Sequence, residues 1–414
     1  MRLLHTADLH IGQTLYQNYG RTDEHEHFFR QLEGWCRQYH PDVLIVSGDV
    51  FDIQQPGAAV KEFFNRTFVT IRNSCPTMHI VVTAGNHDSA SRLQADAEVW
   101  KCINVHIVGI APTADITTAD DGWQERFIVR LPSGYFVAFP YMTGSRSDII
   151  QSVLDYISRE NSDRKPVVMM GHLALRSADT TGHSSEIGRL ATQTVEEMGT
   201  GFDYLALGHI HRPQTLGHPI GDENNETSTY PSGIARYAGS ALHVSCDEKY
   251  PHTVSMVEIS SHGAEVRVQR LRINELRHFY ELPKNGQPAE SAEEALHAIH
   301  EFAEERRSGY FRLRIRYSVT LPVDFDQHVY RLLEPYNEEI RYNPKTLWVG
   351  EPAETETEKP VFEVAELQAM DDPMIFIEKT AEQYSGLSLE ELRNAFQEVK
   401  EEIHKMEEEK QTKP

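Results

Sequence analysis

Two His-x-His pairs occur in this 414-residue chain, and their surroundings separate them chemically. In "DYLALGHIHR" (203–212) an apolar run ends in a glycine, and His209 and His211 follow. Residues two apart on an extended segment point the same way, so both imidazoles can reach one ion. In "HEHFF" (25–29) the pair precedes a helical stripe of Phe28, Leu32 and Trp35, where i and i+2 face apart. His25 and His27 therefore read as a solvated helix face, and His209 and His211 as a site.

Four further strand-like runs end in similar residues. "LLHTADLH" ends in Asp8 and His10, "VLIVSGDVFD" in Asp49 and Asp52, "IVVTAGNHD" in Asn86, His87 and Asp88, and "VVMMGHL" in His172. Loops at the carboxyl ends of strands are where open α/β sheets form sites, so groups two hundred residues apart can converge. Gly48, Gly85, Gly171 and Gly208 precede four of the five sets, suiting a sharp exit with close backbone approach. Carboxylate, amide and imidazole donors without thiolate fit Mn²⁺, Fe²⁺ or Zn²⁺ better than Ca²⁺ or Mg²⁺. Asp8, His10, Asp49, Asn86, His172, His209 and His211 are too many for one tetrahedral ion. They suit two ions sharing a carboxylate, about 3.5–4 Å apart, an arrangement used in phosphoryl transfer.

The elements that must position these groups follow from hydropathy. From residue 1 to about 270, β-branched runs alternate with helical patterns, which predicts an α/β domain with strands at "RLLHTA", "DVLIVS", "MHIVVTA", "YFVAFP", "PVVMM" and "YLAL". A second, α+β unit begins near "HFYELP" (278–283). Its helix is announced by a capping box, Ser291 with Glu294, and by the stripe Leu296, Ile299, Phe302. In "GYFRLRIRYSV" (309–319), Phe311, Leu313, Ile315 and Tyr317 alternate with Arg312, Arg314 and Arg316. "GEPAETETEKP" (350–360) reads as an acidic linker. Two helices should follow, one opening at Asp372-Pro373 and one at Ser388 that carries Leu392, Phe396, Val399, Ile403 and Met406 on one stripe.

Composition bounds the partners. No apolar run approaches the roughly 20 residues of a membrane span, and "MRLLHTADLH" reaches charged and polar residues too early for a signal peptide. Four scattered cysteines suggest neither disulfides nor a thiolate site, so a cytoplasmic protein is expected. The formal net charge of −23 counts against a nucleic-acid partner. Residues 351–414, however, hold 18 acidic and 7 basic side chains, almost half of that excess. Arg21, Arg92, Arg176 and Arg212 are expected near the site rim, where they could meet phosphates. For the arginine row 312, 314 and 316 the choice is between phosphates and acidic neighbours.

Taken together, Asp8-x-His10, Gly48-Asp49-x-x-Asp52, Gly85-Asn86-His87-Asp88, Gly171-His172 and Gly208-His209-x-His211 resemble the motif series of the calcineurin-like metallophosphoesterases. That resemblance implies a two-sheet sandwich flanked by helices. It also implies one ion held by Asp8, His10, Asp49 and His211, and another by Asp49, Asn86, His172 and His209. His87 matches the family histidine that contacts phosphate and protonates the leaving oxygen, work suited to an imidazole. Asp52, grouped with His87, and Asp88 match less uniform positions, with orientation of a histidine as their expected task.

"GNHDSASRL" (85–93), "FDYLALGHIHRPQ" (202–214) and "YAGSALHVSCDE" (237–248) further resemble the branch of bacterial SbcD-type nuclease subunits. The chain departs from that branch at Ala241 and Cys246, a change expected to affect packing of a strand there. The branch implies a phosphoesterase domain (1–272), a cap domain (276–348), an acidic linker (349–362) and C-terminal helices (363–414) that bind a partner. It also implies manganese-dependent cleavage of duplex ends, hairpins and single strands, with Mg²⁺, Fe²⁺ or Zn²⁺ as other metals. A homodimer joined to an SbcC-type ABC ATPase with a coiled coil, in a nucleoid-associated heterotetramer, completes the expectation. A phosphoesterase acting on nucleotides or phosphoproteins is the alternative.

Overall fold

The computed structural model describes residues 1–16, 19–112, 122–142, 144, 146–181, 193–218, 227–336 and 339–350. The expected linker beyond Gly350 and the C-terminal helices, with Leu392, Phe396, Val399, Ile403 and Met406, lie outside these residues.

Two sheets carry the first 272 residues. The seven-stranded sheet has the order β12 (Thr227–Tyr230), β15 (Val266–Arg272), β14 (Thr253–Ile259), β1 (Arg2–Thr6), β4 (Val43–Ser47), β5 (His79–Thr83), β6 (Val105–Val108). β1, β4, β5 and β6 are parallel, and β14 runs antiparallel beside β1. The six-stranded sheet has the order β11 (Gln214–Thr215), β13 (Ile234–Tyr237), β10 (Tyr204–Gly208), β9 (Val167–His172), β8 (Gly134–Ala138), β7 (Ile128–Leu131). There β13, β10, β9 and β8 are parallel. Short β2 (Thr14–Leu15) and β3 (Tyr19–Gly20) pair with each other. All six sequence-predicted strands are present, and β1, β4, β5, β9 and β10 deliver the candidate ligands.

Period two sorts the side chains of the first sheet. Leu3, Val43, Ile45 and Val81 point inward and share a buried cluster with Phe136, Val168, Met170 and Leu205 of the second sheet. Leu4, Leu44, Val46, Ile80 and Val82 point outward onto α1 (Thr22–Tyr39) and α2 (Ala58–Ser74), meeting Phe28, Phe29, Leu32, Phe64 and Phe68. Short helices α3 (Ala90–Gln94) and α4 (Ala97–Lys101) follow β5, and α5 (Ser147–Glu160) buries Ile150, Val153 and Ile157 with the second sheet. Strands covered on both sides need no polar face, which explains their unbroken apolar runs.

α1 corrects one expectation. His25 and His27 do face apart, but His25 is 1% exposed rather than solvated. Its Nε2 lies 2.8 Å from the Leu9 carbonyl, so this histidine ties the helix to the loop that carries His10.

A parallel three-stranded sheet follows: β16 (His278–Leu282), β17 (Gly309–Arg316) and β18 (Ile340–Val349). Helices α6 (Ala292–Glu304) and α7 (Phe325–Leu333) cover one face, enclosing Leu313, Ile315, Ile299, Phe302 and Val329. Ser291 caps α6 by accepting from Glu294 N at 3.1 Å, as the capping box predicts. The Glu294 carboxylate accepts from Glu290 N, one residue before the expected Ser291 N. Ala241 and Cys246 sit in the loop between β13 and β14 rather than in a strand. Among the described residues no helix is long and apolar enough to cross a membrane.

Candidate metal centre

Each ligand-bearing loop leaves its strand abruptly, and two glycines permit this. Gly48 takes φ +85°, and a Cβ there would lie 2.1 Å from His172 Nδ1. A Cβ on Gly208 would lie 1.9 Å from the Ser47 carbonyl oxygen, so the two sheets approach through bare backbone. The loops after β1 and β4 also bind each other, with Asp8 N donating to Gly48 O, His10 N to Asp49 O and Ile11 N to Val50 O, all near 3 Å. Among the described residues nine non-glycine positions adopt positive φ, and Asp8, His10, Asp49 and His209 are four of them. Backbone strain thus collects where the candidate ligands are, as it does at functional sites.

The ligands of both sheets meet on one floor. Asp8, His10, Asp49, His172, His209 and His211 are all buried, Asn86 is half-buried and His87 exposed. Asp8 accepts from His209 N at 3.0 and 3.1 Å through its two oxygens. His172 Nε2 lies 3.3 Å from Asp49 Oδ2 and 3.0 Å from Asn86 Oδ1, while His209 Nδ1 lies 2.9 Å from that same Asn86 oxygen. The rings of His10 and His211 are 5.3 Å apart. Three overlapping triads, Asp8/His10/His211, Asp8/Asp49/His172 and His10/Asp49/His87, each offer ligand atoms within 4.8 Å of one another.

Burial and neighbouring charge oppose each other throughout this pocket. Burial opposes protonation of His172, yet Asp49 and Asp8 beside it push its pKa up to about 9. His10 is likewise raised against burial, by Asp52, Asp49 and Asp8. Burial works against ionised Asp49 too, but His172, His10 and His87 hold it below the usual carboxylate range. For Asp8 burial prevails and raises the pKa. The floor therefore attracts positive charge.

These residues fit a divalent metal centre. His10 Nε2 is buried without a hydrogen-bond partner among the described residues, its nearest carboxylate oxygen being Asp49 Oδ2 at 3.8 Å. A buried polar atom left so is costly unless something else satisfies it. His172 Nδ1 donates to the Ser47 carbonyl at 2.9 Å, which fixes the ring and presents Nε2 to the floor.

Other expectations need correction. Asp52 does lie beside a histidine, His10 Nδ1 at 3.4 Å, and its carbonyl accepts from His87 Nδ1 at 2.8 Å. Asp88 orients no histidine; its carboxylate accepts from the backbone N–H of Val50, Phe51 and Gly85, binding the second and third loops together. Arg21 is not on a rim: it is 2% exposed and bonded to Glu24, Gln13 and the His243 carbonyl. Arg212 pairs with Asp179.

The arginine row is met by acids. Arg312, 7% exposed, pairs with Asp247 at 2.8 Å and Glu281 at 2.6 Å. Arg314 lies 3.8 Å from Glu281, and Arg316 2.6 Å from Glu290. Arg92 and Arg176 remain exposed. Two neighbours of the floor escaped sequence reading: Tyr141, whose ring stands 6.3 and 6.4 Å from His172 and His209, and Glu248, 3.1 Å from His211 Nδ1.

The calcineurin-like phosphoesterase family profile matches residues 1–213. The chain is similar to the SbcD subunit of nuclease SbcCD from Escherichia coli K12, 29% identical over 294 residues that cover 66% of this chain and 68% of the relative. The corresponding SbcCD nuclease subunits of Rhodobacter capsulatus and Bacillus subtilis are 28% and 27% identical. Those matches cover 64% and 62% of this chain, and 68% and 66% of the relatives.

Proposed function

The chain belongs to the calcineurin-like phosphoesterase family, and from that premise we propose that it is the nuclease subunit of an SbcCD-type complex, hydrolysing DNA phosphodiesters with two divalent cations. One observation carries the reading: seven ligand-type side chains from five strand ends in two sheets meet on a single buried floor. DNA as substrate is drawn from the relatives' name.

Asp8, His10, Asp49 and His211 would hold one cation, and Asp49, Asn86, His172 and His209 the other, with Asp49 shared. Bound divalent ions, Mn²⁺ best suiting these donors and Mg²⁺, Fe²⁺ or Zn²⁺ being other occupants, supply Lewis-acid activation of the phosphoryl group and of a water nucleophile. His87 is exposed, and its backbone N–H donates to Asp49 Oδ1 at 2.8 Å. With Nδ1 committed to the Asp52 carbonyl, His87 Nε2 is the atom that hands a proton to the leaving oxygen. Arg92 and Arg176 are the arginines left to meet DNA phosphates.

Residues 276–348 act as a cap, and the stripe from Leu392 to Met406 docks a coiled-coil ABC ATPase of the SbcC type in a homodimer-based, nucleoid-associated assembly. Exonuclease action on duplex ends and endonuclease action on hairpins and single strands belong to the same reading. Incubation with Mn²⁺ on end-labelled duplex and hairpin DNA, beside a small phosphomonoester, tests it. Cleavage of both DNAs is expected; turnover of the monoester alone overturns the nuclease assignment in favour of a nucleotide or phosphoprotein phosphatase.

A further inference from the structure

Glu248 stands between the metal floor and the three-stranded sheet. It is 3% exposed, on the loop joining β13 to β14. Its Oε1 accepts from His211 Nδ1 at 3.1 Å; its Oε2 accepts from Val244 N at 3.0 Å and lies 3.4 Å from His252 Nε2. His252 is itself held from behind, its Nδ1 2.9 Å from the Ser240 carbonyl. The same loop is gripped from its other side by the sheet. Asp247 pairs with Arg312 at 2.8 Å, Lys249 with Glu281 at 2.9 Å, and Cys246 Sγ accepts from Asn343 Nδ2 at 3.5 Å.

An imidazole that ligates through one nitrogen needs an acceptor for the N–H of the other, because that bond fixes the tautomer and stops the ring from flipping. A carboxylate does this and also makes the ligating nitrogen a better donor. Glu248 occupies that place behind His211, and its loop is anchored on β16, β17 and β18.

We propose that Glu248 is a positioning residue that aims His211 at its cation, and that the 244–249 loop makes this aim depend on the seating of the three-stranded sheet. The inference rests on the two-ion reading above. It assigns a task to an acid that none of the predicted site residues includes, and gives the sheet a route to one metal position.

Titration calorimetry with Mn²⁺ and the absorption spectrum of the Co²⁺-loaded protein test it, on wild type, Glu248→Ala, Glu248→Gln and Arg312→Gln. In Glu248→Ala one ion should bind about 10–100-fold more weakly, with the Co²⁺ bands of that position altered and the other ion unmoved. Glu248→Gln keeps an acceptor oxygen and should recover part of the loss; it also decides the matter should the alanine variant not fold. Arg312→Gln leaves Glu248 in place and should weaken the same position by a smaller factor.

Wild-type affinity and spectrum in folded Glu248→Ala and Glu248→Gln overturn the positioning role. An unmoved Arg312→Gln overturns the coupling to the sheet. A wild type that saturates at one ion overturns the two-ion reading, while the ratio of variant to wild-type affinity still decides the role of Glu248.

Discussion

At the junction of α1 with the three-stranded sheet, the Glu24 carboxylate is 2% exposed and meets Arg21 at 2.7 Å, Arg341 at 3.2 Å, Arg277 at 3.5 Å and the Tyr310 hydroxyl. At the metal floor, His10 Nε2 is equally hidden and has no hydrogen-bond partner among the described residues, with an Asp49 oxygen 3.8 Å away. Both regions bury several charged or ionisable groups. The junction answers its anion from within the chain, whereas the floor holds a buried His10 nitrogen that no described group satisfies. Burial of charge therefore does not mark a site by itself. Unsatisfied buried ligand atoms do so where, as here, they lie at the convergence of several ligand-bearing strand ends, since a structural cluster has every reason to satisfy its own groups.

The contrast breaks most visibly at Asp49, the carboxylate both ion positions would share. Asp49→Asn should abolish uptake of one ion and reduce DNA hydrolysis to background, read by metal analysis of the dialysed protein and by the cleavage assay. His87→Gln should keep both ions and lose about 10²–10⁴-fold in turnover, the usual worth of a general acid; loss of the ions would mean that His87 is a ligand. At the junction the effect should fall on stability instead. Glu24→Ala leaves buried arginines without their anion and should cost about 3–5 kcal/mol in chemical denaturation, with the ion that Asp49, Asn86, His172 and His209 would hold bound as in wild type.

Loading sharpens the contrast further. Mn²⁺ at about 100 times its Kd should add about 2.7 kcal/mol of stability per ion; Asp49→Asn forfeits this for the ion it loses, and Glu24→Ala retains it for the ion that His211 does not hold.

The last expected effect is on acid tolerance. Burial, aided by Arg236, lowers His5 to about 3, and burial with His252 lowers His243 to about 3, against an ordinary 6.5. Folded protein thus binds these protons less well than unfolded protein does. Their contribution to stability is complete above pH 6.5 and is lost as pH falls from there toward 3. Melting temperatures of metal-free protein should decline through that window, and His5→Gln should flatten part of the decline.

Much of the floor was legible in the sequence because its signals are local: an apolar run, a glycine, then a ligand. The parallel sheets then bring the ends of β1, β4, β5, β9 and β10 together without further information from the loops. What escaped depends on neighbours far along the chain. Glu248 is one acid among 63 Asp and Glu, and only folding puts it against His211. Arg21 looks like a surface residue, as arginine usually is; its burial is made by Tyr310 and His243, more than two hundred residues away. Alternation separated the faces of β17 correctly, but period two does not say what covers a face, and Asp247, Glu281 and Glu290 cover this one.

The floor draws Asp8, His10, Asp49 and Asn86 from one sheet and His172, His209 and His211 from the other. Cations seated there would act as rivets through the open end of the sandwich, so the catalyst's rigidity and its metal inventory become a single quantity. A chelated molecule should breathe at that end first, and amide exchange in the loops after β1, β4 and β10 would register the loosening before any strand opens.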